Sequence, residues 1–227
     1  LAAVLYVFRC LVNDTIPLNE GCLKPLKVTV PKRSIISPEY PAAVIAGNTE
    51  VGQCITDALF GALGTLASSQ GTVNNFVYGN DVYQNYETIC GGTGAGPDHP
   101  GASAVHSHMT NTKMTDPEVL EQRFPVRVDS FSIRHGSGGQ GRFPGGDGIV
   151  REVTFLEDMK VTLLTSHRHT DPYGLAGGEP GARGRNAVRR TNGHVEELLG
   201  NDETDMAPGD CFIMETPGGG AYGIAEG

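Results

Sequence analysis

A chain of 227 residues has room for one domain, or two small ones, around a real core. Hydrophobic residues at 38% and charged residues at 19% exclude a disordered acidic tail and a charged coiled coil. Seventeen basic against 26 acidic residues, a net charge of −9, argue against a nucleic-acid groove or an anionic membrane surface, and no apolar run reaches the ~18 residues of a membrane span.

Glycine (32) and proline (14) together make up about a fifth of the chain, without a Gly-X-Y period, so collagen is excluded and the glycines belong to turns and tight loops. The five cysteines, Cys10, Cys22, Cys54, Cys90 and Cys211, are scattered, odd in number and free of any CxxC pair. They read as reduced thiols of a cytoplasmic protein rather than a zinc site or a secreted disulfide scaffold. The chain opens inside an apolar stretch, without an initiator Met or the marks of a signal peptide, and reads as a fragment of a longer protein.

Residues 1–12 are apolar enough for a buried helix, stopped by Asn13-Asp14 and then Pro17. Residues 26–30 alternate and stop at Pro31, and residues 42–46 form a short apolar run, so both are expected strands. A second helix is expected over residues 49–69, where Val51, Ile55, Leu59, Ala62 and Leu66 recur on one face and Asn48 or Thr49 can cap the start. Gly52, Gly61 and Gly64 inside it, each costing up to ~1 kcal/mol against Ala, suggest close packing on another backbone. A strand-like stretch covers residues 86–89. Thr115-Asp116-Pro117-Glu118 is a capping box opening a short third helix through Arg123.

From residue 125 the alternation is persistent, over residues 126–133, 149–155, 161–165, 195–198 and 211–214, the last preceded by the turn Pro208-Gly209-Asp210. The expected class is α+β: a mixed part over residues 1–124 and a β-rich antiparallel part over residues 125–227 of the same domain.

Five glycine-rich loops separate the strands: residues 91–96, 136–142, 145–148, 174–178 and 218–220. They are either anion or oxyanion cradles or tight turns. None carries the Lys-Ser/Thr of a phosphate loop, and the GxGxxG spacing at residues 136–141 opens no helix. His106-Ser107-His108 places two imidazoles on one face of an extended segment, suited to a metal or to acid/base work, with Asp98, His99 or Asp116 as further ligands. His167-Arg168-His169-Thr170-Asp171 follows a strand. Arg168 is able to grip a carboxylate or phosphate, or the cluster is a polar surface turn. Asn74-Asn75 either orient an amide or carboxylate or form an Asx turn. Cys90 is a nucleophile candidate or a buried thiol, and His135 and His194 read as structural or solvated.

Taken in order, Ser69-Gln70-Gly71-Thr72-Val73-Asn74-Asn75-Phe76, Tyr86-Glu87-Thr88-Ile89-Cys90-Gly91-Gly92-Thr93-Gly94-Ala95-Gly96 and His106-Ser107-His108-Met109-Thr110-Asn111 with the stretch to Glu118 resemble the B subunit of the hydantoinase/oxoprolinase family. Gly136-Ser137-Gly138-Gly139-Gln140-Gly141, Gly145-Gly146-Asp147-Gly148 and Thr216-Pro217-Gly218-Gly219-Gly220-Ala221-Tyr222-Gly223 continue the resemblance over nearly the whole chain. The resemblance implies ATP-dependent opening of a cyclic amide, 5-oxo-L-proline to L-glutamate being favoured. Hydantoin hydrolysis and ATP-dependent ketone carboxylation are the alternatives, and a non-catalytic scaffold or interface piece is the reading from another class. ATP would be used by an actin-like A subunit or domain, and the missing N-terminal part of B would supply any divalent metal. The resemblance also implies a homo-oligomer. Within this chain the expected catalytic residues are His106, His108, Arg134 and Arg168, and the expected substrate contacts are Asn74, Asn75, Gly92, Gly94, Asn111, His169 and Asp171; no metal ligand is expected.

Overall fold

A computed structural model describes residues 1–12, 14–17, 19–44 and 47–225, the side chain of Asn48 excepted. It is an α+β fold of three α-helices and two antiparallel sheets. Helix α1 (Ala2–Leu11) forms where expected, but it buries only Ala3 and Val7 and leaves Phe8 and Leu11 exposed. The expected stop at Asn13 lies outside the described residues; the helix ends at Val12, in extended backbone.

The two early strands are not there. Residues 26–30 carry no regular structure and pair with no strand among the described residues, and residues 42–44 are bend and coil, with Ile45 and Ala46 outside the described residues. Alternation favours a strand only where a sheet edge receives it, and none is offered here. The segment instead carries a 3₁₀ turn, Glu20–Leu23, capped by the Asn19 side chain on Gly21 N at 2.8 Å.

Helix α2 (Gly52–Leu63) follows a π-turn over Gly47–Val51. Its N-cap position is Val51, with no side-chain cap; the expected cap Asn48 has its side chain outside the described residues. It ends earlier than residue 69 because Gly64 takes a left-handed conformation, φ 67°, that L side chains resist. The buried face is not the apolar stripe but Gln53, Thr56, Asp57 and Phe60; Ile55, Leu59 and Leu66 are half-buried and Ala62 is exposed. Gly61 makes its close approach to the Tyr173 side chain rather than to a backbone.

One sheet has the order β2-β1-β5-β8, formed by β1 (Asn75–Gly79), β2 (Gln84–Thr88), β5 (Met159–Leu164) and β8 (Asn201–Met206). The other runs β3-β4-β9-β6-β7, formed by β3 (Val126–Ile133), β4 (Ile149–Phe155), β9 (Cys211–Glu215), β6 (Arg185–Arg189) and β7 (Val195–Leu198). The first sheet joins strands from before and after residue 125, with Phe76 beside Leu163 and Tyr78 beside Val161. The inner faces share one core, in which Phe76 stacks on Phe212 at 4.6 Å and Tyr78 meets Phe155 edge-on at 5.3 Å. Helix α3 (Pro117–Arg123) closes this core with Leu120, and its cap is Asp116, accepting from Glu118 N and Val119 N. Arg151 and Glu87 form a dry ion pair at 3.0 Å that ties β4 to β2 through the core.

The glycine-rich loops form no open cradle: residues 174–178 and the start of 136–142 are tight turns, with Gly178 N on Leu175 O at 2.9 Å and Ser137 N on Arg134 O at 3.2 Å. Segments of four of them lie side by side, bonded backbone to backbone: Gly92 N to Pro217 O at 3.0 Å, Gly146 N to Thr93 O at 2.9 Å, Gly219 N to Gly146 O at 2.8 Å and Gly139 N to Gly219 O at 2.9 Å. A Cβ at Gly92, Gly94, Gly145 or Gly219 would overlap a neighbouring carbonyl. Glycine is required here for close approach, and the N–H groups are spent on the lattice itself.

Candidate functional site

Asp57 sits mid-helix on the inward face of α2, where an ionisable group survives only with partners. Its Oδ1 lies 3.1 Å from His108 Nε2 and accepts from Ser69 N at 3.3 Å, while Oδ2 accepts from Ser68 Oγ at 3.3 Å. The His108 and Asp57 side chains are only 5% and 9% exposed, so their attraction is little screened by solvent. Gln53 fixes the loop that carries His108: its Nε2 donates to Ser107 O and Thr110 Oγ1, and its Oε1 accepts from Met109 N. The ring packs on Phe60 at 5.5 Å, with Tyr6 Oη 3.5 Å from Nδ1.

Ser69 Oγ stands 2.9 Å from the same Nε2 and accepts from Gly94 N at 3.1 Å. This is not a nucleophilic triad, which would use one ring nitrogen for serine and the other for aspartate. An ionised carboxylate only accepts, so Nε2 carries the proton and Asp57 stabilises it there. The polar line continues from Ser68 Oγ to His167 Nε2 at 3.5 Å, and His167 Nδ1 reaches Thr170 O at 3.0 Å. Burial pushes the His167 pKa down, against a smaller opposing pull from its bond to Thr170.

His106 does not join His108 on one face. His108 takes φ 49°, which breaks the extended geometry, and both ring nitrogens of His106 are buried without a hydrogen-bond partner among the described residues. Burial lowers the His106 pKa, so the ring is held neutral. Below pH ~6.5 an unfolded chain protonates histidines that folded His106 and His167 keep neutral. Their contribution to stability is therefore complete above that pH and is lost as pH falls through the depressed folded values. We expect the thermal midpoint to drop between pH 7.5 and 5.5 and His106→Asn to reduce that drop; an equal drop in both proteins would remove His106 from the effect.

Arg168 is held by neutral acceptors: Nη1 donates to Asn74 Oδ1 at 2.9 Å and to Ser166 O at 2.7 Å, and Nη2 and Nε donate to Asn186 Oδ1 at 2.8 and 3.3 Å. Burial, with Arg134 nearby, lowers its pKa to about 9. Arg134 pairs with Glu215 at 3.1 Å and donates to Arg183 O. Asn74 is fully buried and anchored to Gln70 Oε1 and Ile89 O. Asn75 bonds Glu50, Leu164 O and Tyr86 Oη, and burial pushes the Glu50 pKa up. Ser68 through Asn75 thus span the site, Ser69 touching His108 and Asn74 touching Arg168.

Of the other expected residues only Gly94 reaches this site, through Ser69. Gly92 and Gly94 direct their N–H groups to Pro217 O and Ser69 Oγ. Asn111 and His169 are exposed, and Asp171 pairs on the surface with Arg183 at 2.5 Å. Cys90 is buried, its thiol pushed up by burial and directed at Met114 Sδ, which suits packing and not a thiolate. Among the described residues no group of three or more His, Cys, Asp or Glu is set to hold a metal; Asp116 is spent as a helix cap. Asp57, Gln53 and Ser68 were not singled out from sequence, and Ser69 and His167 entered only as members of longer stretches without a role of their own, although Gln53, Thr56 and Asp57 share one helical face and so signal an inward polar surface.

The family model described as Hydantoinase B/oxoprolinase matches residues 1–225. The 5-oxoprolinase of Dictyostelium discoideum is 45% identical over 98% of this chain and 18% of its own length, and 5-oxoprolinase 1 of Arabidopsis thaliana is 46% identical over 98% and 18%. This chain thus spans about a fifth of these relatives. The crystal structure of an ATP-dependent caprolactamase from Pseudomonas jessenii shares the fold, with TM-score 0.81 and 23% identity over 98% of this chain and 42% of that one. No helix among the described residues is long and apolar enough to cross a membrane. With the full-length family match and these two relatives, the chain belongs to the hydantoinase B/oxoprolinase family.

Proposed function

We propose that this chain is part of an ATP-dependent cyclic amidase that opens 5-oxo-L-proline to L-glutamate. The observation that carries this reading is the 45% and 46% identity to two 5-oxoprolinases along 98% of the chain. Its five thiols are all free, which supports a cytoplasmic setting.

Nucleotide binding belongs to an A-type subunit or domain. Glycine-loop N–H groups that would cradle phosphates here, such as those of Gly92, Gly94, Gly138, Gly146 and Gly219, are bonded to carbonyls or side chains of the chain itself, so these loops do not fit ATP. Any divalent metal would be held by B residues upstream of this chain, and homo-oligomeric assembly is part of the proposal.

Ring opening breaks the amide C–N bond, forms a C–O bond from water, and moves one water proton to the leaving nitrogen. His108 is the group suited to hold and return that proton, because Asp57 and Gln53 fix the position of its ring and its side chain is only 5% exposed. Arg168 places a positive charge beside Asn74 of the segment 68–75, where it serves binding, Arg134 stands nearby paired with Glu215, and His106 is neutral with both ring nitrogens buried. Asn74 and Asn75 orient these groups, with Gly92 and Gly94 admitting the backbone; Asn111, His169 and Asp171 would contact substrate only from the rim.

The test is ATP hydrolysis by the complete enzyme with its A part, with and without 5-oxo-L-proline, following glutamate. Matched ADP and glutamate release is the expected result. Absence of stimulation would end this reading, with bicarbonate dependence then dividing hydantoin hydrolysis from ketone carboxylation.

A further inference from the structure

Arg168 lines a pocket of about 370 Å³ walled by residues 165–170 and 199–201, a volume in the range that takes a small molecule. Every hydrogen-bond partner it has among the described residues is neutral. Its neighbours Arg134, Arg183 and Arg185 differ, since each has a carboxylate in reach, Glu215, Asp171 and Glu197 respectively. Neutral amide oxygens orient a guanidinium without cancelling its charge.

The donors can be counted. A guanidinium has five N–H bonds. Both on Nη1 are spent on Asn74 and Ser166, and Nε and one on Nη2 on Asn186, which leaves one Nη2 hydrogen. Asn74 and Asn186 are themselves 0% and 1% exposed, and Asn186 is tied to Thr165 Oγ1 and Leu199 O. The cation is thus fixed in place by a rigid polar shell, and one donor and a full positive charge remain for an outside group.

The geometry points to Arg168 as a specificity residue that binds the carboxylate of the substrate, selecting cyclic amides that bear one over uncharged lactams. This rests on the ring-opening reading above and adds to it the acidic group as the feature recognised. The uncompensated cation, its pre-set shell and the pocket carry the assignment. A substrate carboxylate is bound equally before and during ring opening, so its loss acts on KM and leaves kcat little changed.

The experiment measures equilibrium binding of 5-oxo-L-proline and of 2-pyrrolidinone, the same ring without the carboxylate, to the complete enzyme, alongside turnover. The unmodified enzyme is expected to prefer 5-oxo-L-proline by about 10- to 100-fold, the range of a charge-assisted bond. Arg168→Met erases that preference while binding of 2-pyrrolidinone is kept, which also shows that the variant is folded. Arg168→Lys retains part of the preference and covers the case in which the Met variant does not fold. Equal weakening of both ligands, an undiminished preference, or a fall in kcat with KM unchanged would each overturn the assignment. Acetate and inorganic phosphate are the competing probes: competition by acetate supports a carboxylate site, and competition by phosphate alone overturns it in favour of a phosphoryl group. Binding needs no turnover, so an enzyme that prefers the carboxylate yet releases no glutamate refutes the ring-opening reading and not this one.

Discussion

Replacing His108 with Ala in the complete enzyme is expected to lower 5-oxo-L-proline turnover by ~10²-fold or more, the usual worth of a positioned acid/base group. The same change removes a structural partner, because it leaves the Asp57 carboxylate buried with only Ser68 and Ser69 to meet it. His108→Gln separates the two effects. The amide N–H of Gln can still donate to Asp57 but cannot carry a proton, so a folded Gln variant with the full loss of turnover places His108 in proton transfer. Near-normal turnover in the Gln variant with a damaged Ala variant would make His108 a purely structural hydrogen-bond donor. Circular dichroism and the thermal midpoint supply the folding control for both.

The difference between the two halves of the molecule has a physical basis. Strands 126–133 and 149–155 follow from alternation alone because they pair with each other, the second also with β9, and both contribute to a common core. Strands β1, β6 and β8 escape that reading. Asn75 to Gly79 opens in an amide-rich stretch, Arg185 to Arg189 mixes charge with apolar residues, and β8 is acidic through Asp202, Glu203 and Asp205. Sheet partners fix these segments where local propensity is silent. Helix α2 misled in the opposite sense: its apolar stripe is regular, yet the interior it faces is polar, so Gln53 and Asp57 go in and Ala62 stays out. The site was legible as residue types, His108, Arg168 and Asn74, and as the segments that hold them. What joins them is not legible. Asp57 meets His108 across 51 residues, and Asn74 meets Arg168 across 94, distances in sequence over which no spacing rule operates.

Gly219→Ala is expected to destabilise the protein by ~3 kcal/mol or more, the upper end for overpacking, because what it meets is backbone on every side. The added Cβ would overlap Thr93 O and lie 2.7 Å from Gly94 N. Thr93 cannot withdraw without releasing Gly146 N, which it accepts at 2.9 Å, and Gly146 O in turn accepts from Gly219 N at 2.8 Å. One methyl group therefore opens several mutually dependent bonds, each leaving a buried donor or acceptor unmet. Two other glycines provide the contrast. At Gly193, φ 85° with nothing within 4 Å, Ala should cost only ~1 kcal/mol of backbone strain. At Gly52, helical and unobstructed, Ala should raise stability by up to ~1 kcal/mol. Thermal midpoints in the order Gly52→Ala above the unmodified protein, then Gly193→Ala, then Gly219→Ala lowest by a wide margin would establish that the glycine loops act as a close-packed backbone lattice. A Gly219→Ala protein as stable as the Gly193→Ala protein would show instead that the loops slide past one another freely, and the rigid framework that holds Ser69 against His108 through Gly94 would have to be sought elsewhere.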